Sequence, residues 1–502
     1  MKKNIQKQRS FPYLKVLCFI FLIFTTANYF YVDSRSIITQ SINFWRAFFQ
    51  GELLSYYSIY GSAWGIIEVF IMSIWKLPFY LIETVFQLNI YDSLILRTLA
   101  KSDLIIYVYL CGKVIKKILN EYLVSEEKQE YANIMFISSS LIYTSCCICG
   151  QVDIIGLFFS LLAFLYLIKN EEKKFVLFLF LAIQCKYFPL FIFIPVILYK
   201  YKKLHKALLI IILPILVGSI LNLPFSMYEK STAIESKTAV VDDASVELET
   251  VSFENVDIAN NSGMILGTGS SNNSVLNNQV FRMIDNKMVI LGNEIPVLFL
   301  VYSVVCLFAF LLKYREEDCK KWYCYLAFCA MSLFLISYDS HLYRMIYILP
   351  FYVILLLTKK EATKNDFILE TICVSAFTLG NIFKYYWCSD FFITRGGIID
   401  LIIPERKFAL RGSEYYYRIL SSESTFSIWM LLYVAFIIWI VYMIISNFPS
   451  ERLQTFINEK LHAEPIKMKR YLAIRMVVSF LAANFIFVIY AIHIVENIIS
   501  KI

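Results

Sequence analysis

Apolar residues in this chain fall into long runs, and short polar breaks separate the runs. The first run, Leu14 to Val32, stops at Asp33. Others begin near residues 103, 132, 154, 174, 188, 207, 297, 322, 345, 367, 428 and 471, each bounded by charges, prolines or polar clusters. At 1.5 Å of rise per residue a helix needs about 20 residues to cross a bilayer, so these runs predict on the order of 13 spans, some short or broken. No period-two alternation marks a β-barrel, and hydrocarbon leaves unpaired backbone groups without partners. The pattern therefore predicts an all-α polytopic membrane protein forming one integral domain over residues 1–502.

Three stretches interrupt the runs. Residues 33–101 mix Trp45, Arg46, Glu52, Glu68, Lys76 and Glu83 with Phe, Tyr, Ile and Leu, a blend that suits helices lying in the interface and predicts a first outer loop. Residues 224–296 predict a long outer loop, acidic at first and then rich in Ser, Asn and Gly. Residues 387–427 predict a second outer loop carrying Arg395, Arg406, Lys407, Arg411 and Arg418. Its charges suit a solvated or headgroup-facing surface. No internal repeat or separate soluble domain is visible.

Composition agrees with the pattern: of 502 residues, 59% are hydrophobic and 17% charged, with a mean hydropathy of +0.63. The net charge of +8 does not indicate nucleic acid, because the basic residues are placed by topology. More than half of the 47 lysines and arginines lie in seven short segments, 1–13, 116–130, 169–174, 200–206, 313–321, 359–364 and 450–470. These alternate with the remaining loops as an inside set should, which predicts a cytoplasmic N-terminus and places Asp33 outside. The first run lacks a small-residue cleavage site after it and is expected to remain as a signal anchor.

Most of the 12 cysteines sit inside apolar runs, and Cys146, Cys147 and Cys149 lack the second pair that a zinc site needs. Four histidines are too few for a His-rich metal cluster. No cofactor is indicated.

The chemistry concentrates at polar breaks on the side of Asp33. The hairpin Gly150-Gln151-Val152-Asp153 is short and closely flanked by apolar residues, so Gln151 and Asp153 need partners if buried. Lys186, in Gln184-Cys185-Lys186-Tyr187-Phe188-Pro189, needs water or an anion at such a position. Asp339, His341 and Arg344 share one tight turn, where Arg offers a planar fork for phosphate and His a titratable donor. Asp103 opens an apolar run where a carboxylate favours a helix N-terminus, and ranks second as a site residue. Convergence of these breaks predicts one site, with Asp33 as its base.

The order of these features resembles the GT-C superfamily of glycosyltransferases that use polyprenyl-phosphate sugars, in particular the dolichol-linked glucosyltransferase and bacterial mannosyltransferase-like branch. The carrying residues are Val32-Asp33-Ser34, Cys149-Gly150-Gln151-Val152-Asp153, Lys186-Tyr187-Phe188-Pro189-Leu190 with Pro195, and Ser340-His341-Leu342-Tyr343-Arg344 with Pro350. The resemblance covers roughly residues 14–360. An Asp-x-Asp pair is missing from the first loop, and Val152-Asp153 stands where the glucosyltransferases have an aromatic residue and Asn.

The resemblance implies a GT-C-like bundle that transfers a sugar, with inversion, to a lipid-linked glycan or cell-surface polysaccharide on the non-cytoplasmic face. It implies Asp33 as catalytic base, Lys186, His341 and Arg344 at the donor phosphate, and Gln151, Asp153, Asp339 and Asp103 around the substrate. The partners implied are a polyprenyl-phosphate sugar, a glycan acceptor and the bilayer. A lipid-linked polysaccharide polymerase or ligase shares this topology, and a transporter or flippase is the non-enzymatic alternative.

Overall fold

The computed structural model describes residues 12–60, 64–239, 287–290, 293–337, 342–359, 364–384, 423–450 and 468–485. Asp339 and His341 lie outside them, as do the second outer loop and most of the long one. The described chain is all-α except for one β-hairpin. It divides into two compact units: residues 1–31, 104–151 and 342–502, and residues 32–103 and 152–341.

The first unit holds α1 (Pro12–Asn28), α6 (Asp103–Glu121, from Leu104 onward), α7 (Glu126–Ile137), α8 (Ser140–Ile142), α15 (Leu349–Thr358), α16 (Lys364–Lys384), α17 (Glu423–Ser446) and α18 (Met468–Ala483). Aromatic pairs join them: Phe21 of α1 stacks on Phe480 of α18 at 4.1 Å, and Phe377 of α16 on Phe436 of α17 at 4.0 Å. Between α7 and α8 the axis bends by 41°. The cause is local, because the Ser139 hydroxyl accepts from the Leu141 N–H and starts a new helix there. Beyond α8, Tyr143–Ile148 winds as a π-helix.

The second unit holds α2 (Val32–Gln50), α3 (Tyr56–Tyr60), α4 (Ile66–Phe86), α5 (Leu94–Lys101), α9 (Asp153–Ile168), α10 (Glu172–Cys185), α11 (Phe188–Lys200), α12 (Leu204–Ala239), the strands β1 (Lys287–Ile290) and β2 (Asn293–Pro296), α13 (Val297–Leu311) and α14 (Cys319–Ser337). β1 and β2 pair antiparallel, Val289 opposite Glu294. α2 lies on α4, where the Trp45 indole donates to Ser73 O at 2.6 Å and Phe49 stacks on Tyr80 at 5.4 Å. Phe191 of α11 stacks on Phe334 of α14 at 3.8 Å, and the Tyr302 hydroxyl of α13 donates to Phe191 O at 3.0 Å. Lys202 closes the C-terminus of α13 by donating to Ala309 O and Phe310 O at 3.0 and 2.8 Å.

Helix length supports fewer crossings than the apolar runs suggest. Among the described residues, 66–86, 204–225 and 319–337 are long and apolar enough to cross a membrane, and α7 with its bent continuation makes a fourth if taken as one span. The first of these crosses the stretch expected to lie in the interface. α12 continues through Pro224, where a loop is expected, to Ala239. Its outer face exposes Leu209, Leu216, Ile220 and Leu223, and only 22% of its apolar window is buried. Such a wall of exposed leucine and isoleucine calls for lipid or a partner.

Candidate functional site

The α9–α10 pair is an antiparallel hairpin. Asn170, in the turn between them, takes the left-handed conformation with φ of 60°, which asparagine tolerates. This geometry brings the start of α9 and the end of α10 to the same end of the hairpin. Asp153 opens α9, where the helix N-terminus favours a carboxylate. α10 stops at Cys185, Lys186 swings into extended backbone with φ −157° and ψ 145°, and α11 begins two residues later with Pro189 in its first turn. Lys186 therefore sits in a two-residue bend, buried among helices rather than at an exposed tip.

Glu68, in the first turn of α4, meets it. Lys186 Nζ lies 3.5 Å from Glu68 Oε1, with both side chains under 5% exposed, and the charge of Asp153 also acts on Glu68. Three ionisable groups, two acidic and one basic, thus share a buried corner of the second unit. Polar neighbours complete it. Gln184 lies one short step before Lys186, and its amide end packs on the bare backbone of Gly218 in α12, where a Cβ would overlap it. Asn222, one turn further along α12, is buried. Asp153 Oδ1, Gln184 Nε2 and Asn222 Oδ1 have no hydrogen-bond partner among the described residues, and Glu68 Oε1 has only the loose approach of Lys186.

Other ion pairs among the described residues are buried too, with direct contacts between the charges. In the second unit Lys76 of α4 is in direct contact with Asp103. In the first, Lys359 Nζ lies 3.2 Å from both oxygens of Asp366, which also accepts from the Tyr442 hydroxyl at 2.6 Å. Buried groups that are fully paired rigidify a fold, whereas a group left short of partners needs a separate explanation. Asp103 Oδ1 is short of a partner as well, but the corner at Lys186 has four such atoms, on Glu68, Asp153, Gln184 and Asn222.

The residues expected from the sequence divide accordingly. Lys186 and Asp153 are brought together, but through Glu68, which the sequence places in an interfacial helix. The partner that Lys186 needs is supplied by the protein itself, through the carboxyl group of Glu68 in the apolar helix α4. Asp33 is half-buried in the first turn of α2. Asp103 opens α6, with Oδ2 in contact with Lys76 and Oδ1 without a hydrogen-bond partner among the described residues. Gln151, in the first unit, is buried, and its N–H donates to Ser145 O at 2.9 Å just after Gly150, whose φ of 64° suits glycine. Arg344, also in the first unit, is buried in the 3₁₀ turn Leu342–Tyr347 with its guanidinium 5.6 Å from the Tyr343 ring.

Glu68, Gln184 and Asn222 escape a sequence reading. The usable signal for Glu68 is a lone acid in the first turn of a 21-residue apolar helix, hidden here by the mixed residues around it. No group of three or more metal-ligating side chains occurs among the described residues. No protein-family model, curated protein or solved structure matches the chain.

Proposed function

We propose that this chain is an integral membrane glycosyltransferase, moving a sugar from a polyprenyl-phosphate donor to a glycan or lipid-linked acceptor on the non-cytoplasmic face. The observation that supports it most is the loosely paired corner of Glu68, Asp153 and Lys186, beside α12 with its exposed leucines and isoleucines. Ionisable groups buried in a lipid-facing bundle are costly, and they persist where function uses them. In the proposed reaction the acceptor hydroxyl oxygen bonds to the anomeric carbon. The bond from that carbon to the phosphate oxygen breaks, and polyprenyl phosphate leaves with the electron pair. Asp33 takes the hydroxyl proton as the new bond forms, because a carboxylate of ordinary pKa about 3.9 does not ionise a hydroxyl beforehand. Displacement from the opposite face inverts the anomeric centre.

The test is a donor screen with purified protein in nanodiscs, using polyprenyl-phosphate glucose, mannose, galactose and N-acetylglucosamine and following release of polyprenyl phosphate. Release from one donor that depends on acceptor supports the proposal. Absence of release from every donor, with folded protein, overturns it.

A transporter is the second reading, favoured by the 41° bend between α7 and α8 and the π-helical stretch beyond it, since interrupted helices recur at transport sites. Uptake of free sugar into proteoliposomes, without any transfer product, would select it.

A further inference from the structure

We infer that the corner formed by Glu68, Asp153, Lys186, Gln184 and Asn222 binds the hydroxyl groups of a sugar ring and not a phosphate; this rests on the transferase reading and names what that site recognises. Charge is the first argument. Two carboxyl groups face one ammonium, and the single cation already has Glu68 at 3.5 Å. A phosphate placed here would add anionic charge beside two buried carboxyl groups, where repulsion is least screened.

Hydrogen-bond capacity is the second argument. Glu68 Oε1, Asp153 Oδ1 and Asn222 Oδ1 are acceptors, and Gln184 Nε2 is a donor, each buried and short of partners. Carboxyl and amide carbonyl oxygens accept, so these three atoms call for a ligand that carries O–H donors. One donor and the Lys186 ammonium call for the same ligand to carry acceptor oxygens. A phosphate dianion offers acceptors alone. A neutral polyol offers both, in the closely spaced arrangement that a hexose ring presents.

Helix positions are the third argument. The groups come from α4, α9, α10, α12 and the α10–α11 bend, so the orphaned atoms stand on separate elements and not on one helix face. Gly218 lets the Gln184 amide lie flat on α12, and a methyl group there displaces that amide without altering any charge.

The experiment measures affinity of the full-length protein in nanodiscs for two probes, polyprenyl phosphate and the polyprenyl-phosphate sugars of the donor screen. The expected result is that wild type binds one sugar-bearing probe at least tenfold more tightly than the sugar-free carrier. Glu68→Gln, Asp153→Asn and Gly218→Ala should each bring that ratio down toward one while carrier affinity stays within twofold. Gly218→Ala keeps the test decisive if the carboxylate variants fail to fold.

If the variants lose carrier affinity itself, the corner serves the phosphate and the inference is wrong. An unchanged sugar preference in Gly218→Ala and in either folded carboxylate variant would show that these groups serve the fold alone. Wild type that binds the carrier without sugar preference overturns this inference but leaves transfer open. Failure to bind any probe overturns the transferase reading together with it.

Discussion

Arg475 grips both oxygens of Glu370: Nε donates to Oε2 at 2.7 Å and Nη2 to Oε1 at 2.6 Å. The remaining nitrogen, Nη1, reaches Met135 O and the Ser138 hydroxyl at 2.9 Å each, and Tyr352 and Tyr471 donate to the same carboxylate at 2.8 and 3.1 Å. Four helices of the first unit, α7, α15, α16 and α18, thus meet at one ion pair that is closed to water.

Breaking one side of this pair leaves a buried charge uncompensated. Arg475→Met or Glu370→Gln should therefore cost about 3–5 kcal/mol of stability, while replacing both by Met and Leu should cost much less than either alone. Denaturation in mild detergent measures this. Equal losses in the double and single variants would show that shape rather than charge is at stake.

Asp33→Asn keeps the side chain's size and removes its basicity. Donor binding should survive, and transfer should fall by about 10²–10⁴. Full turnover by well-folded variant protein would remove Asp33 from the base role.

Asp103→Asn should behave differently. It strips the partner from buried Lys76, so thermal stability should drop by about 3–5 kcal/mol while residual folded protein keeps the wild-type transfer rate. A rate loss in folded protein like that expected for Asp33→Asn would return Asp103 to the candidates for base.

Sidedness is open to labelling. Arg35 is exposed beside buried Ser34, and Lys173 is exposed in the first turn of α10. A cysteine at Arg35 should react with an impermeant maleimide from outside intact cells, and one at Lys173 only after permeabilisation, as the basic-loop pattern requires. Native background should be low, since the described cysteines are buried except for half-buried Cys306. Labelling at Arg35 from the cytoplasm alone would invert the topology.

The readability of this sequence followed the physics of each signal. Runs of apolar residues announce helices because a run is a local property, and Asp103 could be placed at a helix start for the same reason. Pairings are not local. Glu68 and Lys186 are 118 positions apart, Glu370 and Arg475 are 105, and nothing in either segment marks the other. Lengths were legible where charges bound the runs: α9, α10 and α11 stop at 16, 14 and 13 residues, at or next to Lys169, Lys186 and Lys200.

Those short helices bear on the lipid around them. At 1.5 Å per residue α9, α10 and α11 reach only about 20–24 Å, against a hydrocarbon core of about 30 Å. A bilayer meeting them has to dip or admit headgroups and water at one of their ends, since elastic mismatch costs only fractions of a kcal/mol per ångström. If that dip falls at the end holding Asp153 and Lys186, the membrane itself forms a dimple over the charged corner. Acyl chain length then becomes a control on access, deepening the well in thick bilayers and closing it in thin ones.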